Sequence, residues 1–141
     1  MTGTVAQQGQ EYSDRFVEMA SKSDRLGIID KADGRAQQTG QCGDTVELFL
    51  AVRAGQIRRV TYQISGCLNT VACVNTLAYL VEGRTVADSW EITPENIITF
   101  LESLPADHHH CAELVVGTFY KALNDYNLLL REPWRKDYDR R

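Results

Sequence analysis

The chain has 141 residues, 43% of them hydrophobic, which fits one domain on a single core. Its formal net charge of -4 gives no whole-protein attraction to nucleic acid or to an anionic membrane, so neither is expected as a partner. No apolar run approaches the roughly 18 residues that cross a bilayer, and residues 1–14 contain no signal-peptide core, so a soluble, cytoplasmic protein is expected.

Residues 1–11 are polar and rich in Gln and Gly, and read as a disordered leader with no packing role. From Tyr12 onward Tyr12, Phe16, Met19 and Ala20 recur at helical spacing, which predicts a short amphipathic helix ending near Ser23. Residues 30–40 are polar, punctuated by Gly34 and Gly40, and their periodicity does not separate a loop from an exposed edge strand. Val46, Leu48, Leu50 and Val52 then alternate with Thr45, Glu47, Phe49 and Ala51, the period-two pattern of a half-buried strand. Arg53-Ala54-Gly55-Gln56 turns the chain into a second strand over residues 57–65, where Val60, Tyr62 and Ile64 alternate. Cys42 precedes the first strand and Cys67 follows the second. Antiparallel pairing therefore returns both cysteines to one end of the sheet.

Residues 69–81 are rich in Ala, Val and Leu, and predict a mostly buried helix with Asn69 as a plausible cap and Gly83 as its stop. Thr93-Pro94-Glu95 starts another helix that runs to about residue 103, with Pro105 separating it from the last one. There Asp107 can cap, and Cys111, Leu114, Val115, Phe119, Ala122, Leu123 and Tyr126 form an apolar stripe that ends before Pro133. Cys67 and Cys111 thus both lie at helix N-termini, where unpaired N–H groups and the helix dipole favour a thiolate. Residues 133–141 mix both signs of charge and read as a solvated tail, which leaves residues 12–132 as the domain.

Four cysteines without an export signal read as thiols, metal ligands or catalysts in preference to disulfides. Three sit at element termini: Cys42 two places before Asp44, Cys67 after Gly66, and Cys111 beside His110. Together they look like a metal site assembled from distant segments. Soft thiolates suit iron–sulfur clusters and zinc, and a carboxylate or imidazole completing the set makes the site easier to open than four thiolates would. The fourth cysteine, Cys73, is turned about 240° around its helix from Cys67 and sits among Val71, Val74 and Leu77, which makes it a buried structural thiol. Asp44 also fits ordinary turn chemistry, and within His108, His109 and His110 it is His110 that reads as a ligand.

The ordered set of Cys42-Gly43-Asp44 before a hairpin, Gly66-Cys67 opening an Ala-rich helix, and Leu104-Pro105 followed by His110-Cys111 opening a long helix resembles the IscU/NifU N-terminal family. These are iron–sulfur cluster assembly scaffolds, and the resemblance runs over roughly residues 12–130. It implies an α+β fold, with a small antiparallel three-stranded sheet packed with helices and a long C-terminal helix. It also implies a transient [2Fe–2S] cluster built from iron on Cys42, Cys67 and Cys111, with Asp44 or His110 as exchangeable fourth ligand. A cysteine desulfurase would deliver sulfur as a persulfide onto Cys111, and the cluster would pass to apo iron–sulfur proteins, without turnover of the chain's own. A homodimer around a shared cluster is compatible with this reading. Where one branch of the family carries a Leu-Pro-Pro-Val-Lys motif read by an Hsp70-type chaperone, this chain has Leu104-Pro105-Ala106-Asp107-His108, so the resemblance does not extend to chaperone recognition. His108 stands at the family's lysine position.

Two other functions compete. A zinc-binding sulfur acceptor or structural zinc domain would use the same ligands, although the closely spaced Cys pairs usual in structural zinc sites are missing from this sequence. A thiol enzyme built on Cys111, His110 and Asp44 would leave Cys42 and Cys67 without a role, and adjacent residues on a helix point apart.

Overall fold

The computed structural model describes residues 5–7 and 10–137. Within the stretch expected to be a disordered leader, strands β1 (Val5–Gln7) and β2 (Gln10–Tyr12) pair antiparallel. Low hydrophobicity rules out a core there, but a two-stranded ribbon held by main-chain bonds needs none and is marginal by itself. Residues 1–4, 8 and 9 lie outside the described residues. Helix α1 (Asp14–Ser21) starts after Tyr12 because Ser13 is its cap: the Ser13 hydroxyl accepts the Phe16 N–H and donates to Leu101 O at 2.6 Å. Tyr12 stacks on Phe16 with ring centres 4.4 Å apart.

The middle of the fold is an antiparallel sheet in the order β3 (Gly34–Thr39), β4 (Thr45–Arg53), β5 (Gln56–Ser65). The polar segment whose periodicity was ambiguous supplies β3, paired from Gly34↔Leu50 to Thr39↔Thr45. Its small residues serve packing, since a Cβ at Gly34 would come within 2.6 Å of Ala122 O on helix α5 (His109–Arg131). The hairpin between β4 and β5 turns through Ala54 (φ 53°) and Gly55 (φ 74°), the left-handed pair that a tight turn requires.

Strand β4 departs from the half-buried reading: Val46, Glu47, Leu48, Phe49 and Leu50 are all buried in succession. As the middle strand it is covered on both faces, and Glu47, 3% exposed, is satisfied by Arg35 Nε from β3 at 2.7 Å. An alternating pattern reports polarity, and here the polar member is buried with its countercharge.

Helix α2 (Leu68–Val81) joins Ala72, Cys73, Val74 and Leu77 to Val115 and Phe119 of α5 and to Val46, Leu48 and Leu50 of the sheet in one core. Thr85 caps a one-turn helix, α3 (Val86–Ser89), that hydrophobic periodicity did not announce. Helix α4 (Pro94–Leu101) opens as expected, with Pro94 in its first turn and a reciprocal capping box between Thr93 and Asn96. After α5 the chain forms a 3₁₀ turn, Pro133–Asp137, where a solvated tail was expected; Lys136 Nζ reaches Asp33 Oδ1 at 2.6 Å, so a countercharge at the start of β3 holds it. Residues 138–141 lie outside the described residues. Among the described residues no helix is long and apolar enough to cross a membrane. This is the α+β arrangement that the resemblance implies.

Candidate metal centre

Strand register assembles the site. Thr39 pairs with Thr45 and Thr45 with Ser65, so the connection carrying Cys42 and Asp44 and the Gly66-Cys67 step meet at one end of the sheet. Gly43 turns that connection at φ 90°, in the left-handed region that glycine enters without strain. From the helical side, Ala106–His108 forms a 3₁₀ turn that leads into α5 and sets Cys111 in its first turn.

The helix caps differ from expectation. Cys67 itself is the N-cap of α2, with no side-chain cap bond, and Asn69 lies one residue inside the helix, its Nδ2 3.7 Å from Cys67 Sγ. Asp107 falls in the 3₁₀ turn, and His108 takes the cap position of α5, again without a side-chain cap bond. Neither helix start spends a polar side chain on its own amides, so sulfur and imidazole remain available at both.

Cys67 Sγ, a His108 ring nitrogen and Cys111 Sγ lie within 4.8 Å of one another, and His108 Nδ1 is 3.9 Å from Cys111 Sγ. Four ligands around a tetrahedral metal with ~2.3 Å metal–sulfur bonds are ~3.8 Å apart, so this triangle needs only slight contraction to hold an ion. The histidine so placed is His108, not His110. His110 is exposed and meets His108 ring to ring at 5.7 Å, while His109 approaches Leu104 O at 3.3 Å. A spacing of three residues puts His108 over Cys111, whereas a direct neighbour is rotated by ~100°. That spacing was the available signal for His108.

Asp44 and Cys42, the other two expected ligands, lie outside that triangle. Asp44 Oδ2 accepts the Thr70 hydroxyl at 2.6 Å and the Cys67 N–H at 3.3 Å, and Cys42 is exposed. Gly66 permits this seat, since a Cβ there would lie 2.7 Å from Asp44 Cγ. Burial acts to raise the Asp44 carboxyl, but the bonds from Thr70 and Cys67 outweigh it and hold the group below the ordinary carboxylate value.

Cys111 is fully buried, and burial pushes its thiol up to about 11; Cys67 and Asp44 add to the rise while Thr70 opposes it. Desolvation overrides the helix N-terminus, so Cys111 favours the thiol where a thiolate was expected. A bound metal reverses that balance, since a coordinating thiol loses its proton. Burial likewise lifts Cys73 well above the ordinary thiol value, in keeping with an inert core residue.

Known proteins are similar to this chain in sequence and in fold. Over 116 residues the chain is 26% identical to an iron–sulfur cluster assembly scaffold protein IscU of Archaeoglobus fulgidus, covering 82% of this chain and 76% of the relative. The corresponding scaffold protein of Aquifex aeolicus is 25% identical over 119 residues, with the same shares covered. Among solved structures, a nitrogen-fixing NifU-like protein (N-terminal) from Brucella abortus superposes with a TM-score of 0.68 at 19% identity, covering 82% of this chain and 93% of that one. A putative scaffold for the SUF system from Fervidobacterium islandicum gives a TM-score of 0.67 at 20% identity, covering 79% and 96%. The pattern described as NifU-like N terminal domain matches residues 11–131, most of the chain, and the protein belongs to that family.

Proposed function

We propose that the protein is a scaffold on which iron and sulfide are assembled into a transient [2Fe–2S] cluster that is then handed to apo iron–sulfur proteins. The observation that carries this reading is the gathering of Cys67, His108 and Cys111 into one triangle, with the Asp44 carboxylate bonded to the Cys67 amide beside it. Thiolates hold iron, while an imidazole and a carboxylate are the weaker places from which a cluster can leave. Iron and sulfide are cargo in this reading, and the chain has no turnover of its own. The sulfur source is a cysteine desulfurase, the protein is soluble and cytoplasmic, and a homodimer around a shared cluster remains compatible. A two-sulfur, one-nitrogen triangle also favours a second reading, a zinc-loaded sulfur acceptor, because zinc takes the same ligands.

Anaerobic incubation with ferrous iron, cysteine and a desulfurase separates the two. The scaffold reading expects sulfur-to-iron charge-transfer absorption with about two irons per cluster. Zinc that iron and sulfide cannot displace supports the second reading and overturns the first.

We take Cys111 as the residue at which sulfur enters. The Cys111 thiolate attacks the outer sulfur of the donor persulfide, the donor S–S bond breaks, and the donor thiolate leaves. Cys111 can do this only once its proton is gone, which its buried position resists until a metal ion settles on Cys67 and His108. Persulfide on Cys111, measured by mass spectrometry, is thus expected to form at least about tenfold faster with ferrous iron than without it. Label confined to the exposed Cys42 under both conditions would move the acceptor to the hairpin end.

A further inference from the structure

Thr70 stands at the centre of the site although no reading of ligand types selects it. It is fully buried in the first turn of α2, and its Oγ1 lies 2.6 Å from Asp44 Oδ2 and 3.7 Å from Cys67 Sγ. A hydroxyl has one proton to give. The short bond to the carboxylate takes it, because Asp44 can only accept, and the contact to Cys67 sulfur falls on an oxygen lone pair. With the Cys67 N–H on the same Oδ2, Asp44 sits in a prepared seat, and Gly66 supplies the room for it.

We propose that Thr70 is the positioning residue that sets how readily Asp44 leaves a bound metal. A carboxylate that ligates a metal must give up part of this seat, and one that departs falls back into it. The seat and the metal therefore compete for the same group, and the strength of the Thr70 bond fixes the balance. A charge-assisted bond of this kind is among the stronger ones in a protein, so its loss shifts the competition by about tenfold toward the metal. Valine at this position keeps the shape of threonine without the donor; serine keeps the donor.

The proposal rests on the scaffold reading for its biological meaning, and its test does not depend on cluster assembly. Cobalt(II) is loaded anaerobically and its loss to excess chelator is followed at the thiolate-to-cobalt charge-transfer band, with circular dichroism to verify the fold. Thr70→Val is expected to slow the loss about tenfold, and Thr70→Ser to restore the parent rate within about twofold. In an Asp44→Ala background Thr70→Val is expected to change nothing further, since Thr70 acts only through that carboxylate. Equal rates for parent and Thr70→Val, faster loss in Thr70→Val, or the same slowing with and without Asp44 would each overturn the proposal. A parent that takes up no cobalt would overturn it as well, since no metal then competes for the carboxylate. If Thr70→Val does not fold, Thr70→Ala makes the same measurement. Parent protein that shows these cobalt kinetics yet builds no iron–sulfur cluster would refute the scaffold reading and leave the role of Thr70 standing.

Discussion

Cys67→Ser and Cys111→Ser are each expected to reduce metal affinity by at least about 100-fold and to abolish cluster assembly. Altering a residue that merely supports a metal ligand already costs 10–100-fold in typical sites, so loss of a ligand itself should exceed that range. Both sulfurs belong to the triangle that spans less than 4.8 Å, and serine offers a hard oxygen where a soft thiolate is needed. Cys42→Ser should also sharply reduce assembly, because Cys42 is the third thiol at this end of the sheet. His108→Ala should weaken cobalt and zinc binding by about tenfold or more, whereas His110→Ala, at an exposed position outside the triangle, should change it by less than about twofold. Cys73→Ala is the control: the residue is fully buried, so the substitution costs about 1 kcal/mol of stability and leaves assembly intact. Competition against a colorimetric chelator measures each affinity. The site is misassigned if Cys73→Ala loses assembly while folded, or if His110→Ala and His108→Ala trade places.

The parts of this molecule that could be read from sequence are those in which a local pattern and its tertiary consequence coincide. Alternation over residues 45–65 fixed a hairpin, and a hairpin obliges Cys42 and Cys67 to share one end, as the pairing Thr45↔Ser65 shows. Thr93 and Pro94 announced α4 because capping is a local matter. Strand β3 could not be read in the same way: its edge is satisfied by the Arg35 N–H donating to Asp125 Oδ2 and by the close approach of Gly34 to α5, contacts that lie about 90 residues away in sequence. His108 lies in the triangle and His110 does not, because a helix brings residues three apart together while direct neighbours such as His110 and Cys111 point apart. Thr70 could not be recognised at all without the fold, since its partner Asp44 comes from the far side of the hairpin.

Asp44→Ala is expected to lengthen the life of an assembled cluster by about tenfold and to slow its transfer to an apo-ferredoxin by a similar factor. The carboxylate is the hard member of a soft set, and leaving the metal costs it little, because Thr70 and the Cys67 amide stand ready to receive it. Such charge-assisted bonds contribute about 1.5–3 kcal/mol, and each ~1.4 kcal/mol on a barrier is a factor of ten in rate. Without Asp44 the metal keeps Cys67, His108 and Cys111, none of which has such a prepared retreat, so the remaining set yields more slowly to an incoming thiolate. The substitution also strands the Thr70 hydroxyl and the Cys67 N–H without their acceptor, at a cost to folding of about 1–3 kcal/mol, so thermal unfolding has to accompany the kinetics. Asp44→Asn provides the second variant: its amide oxygen still accepts both bonds but is a poor ligand, and its cluster should resemble that of Asp44→Ala. Cluster lifetime is read from the decay of visible absorption under air and under chelator, and transfer from the signal of the loaded ferredoxin. A folded Asp44→Ala protein that loses its cluster faster than the parent would make Asp44 a firm ligand and end the exchange argument. Unchanged lifetime together with unchanged transfer would return the aspartate to turn chemistry alone.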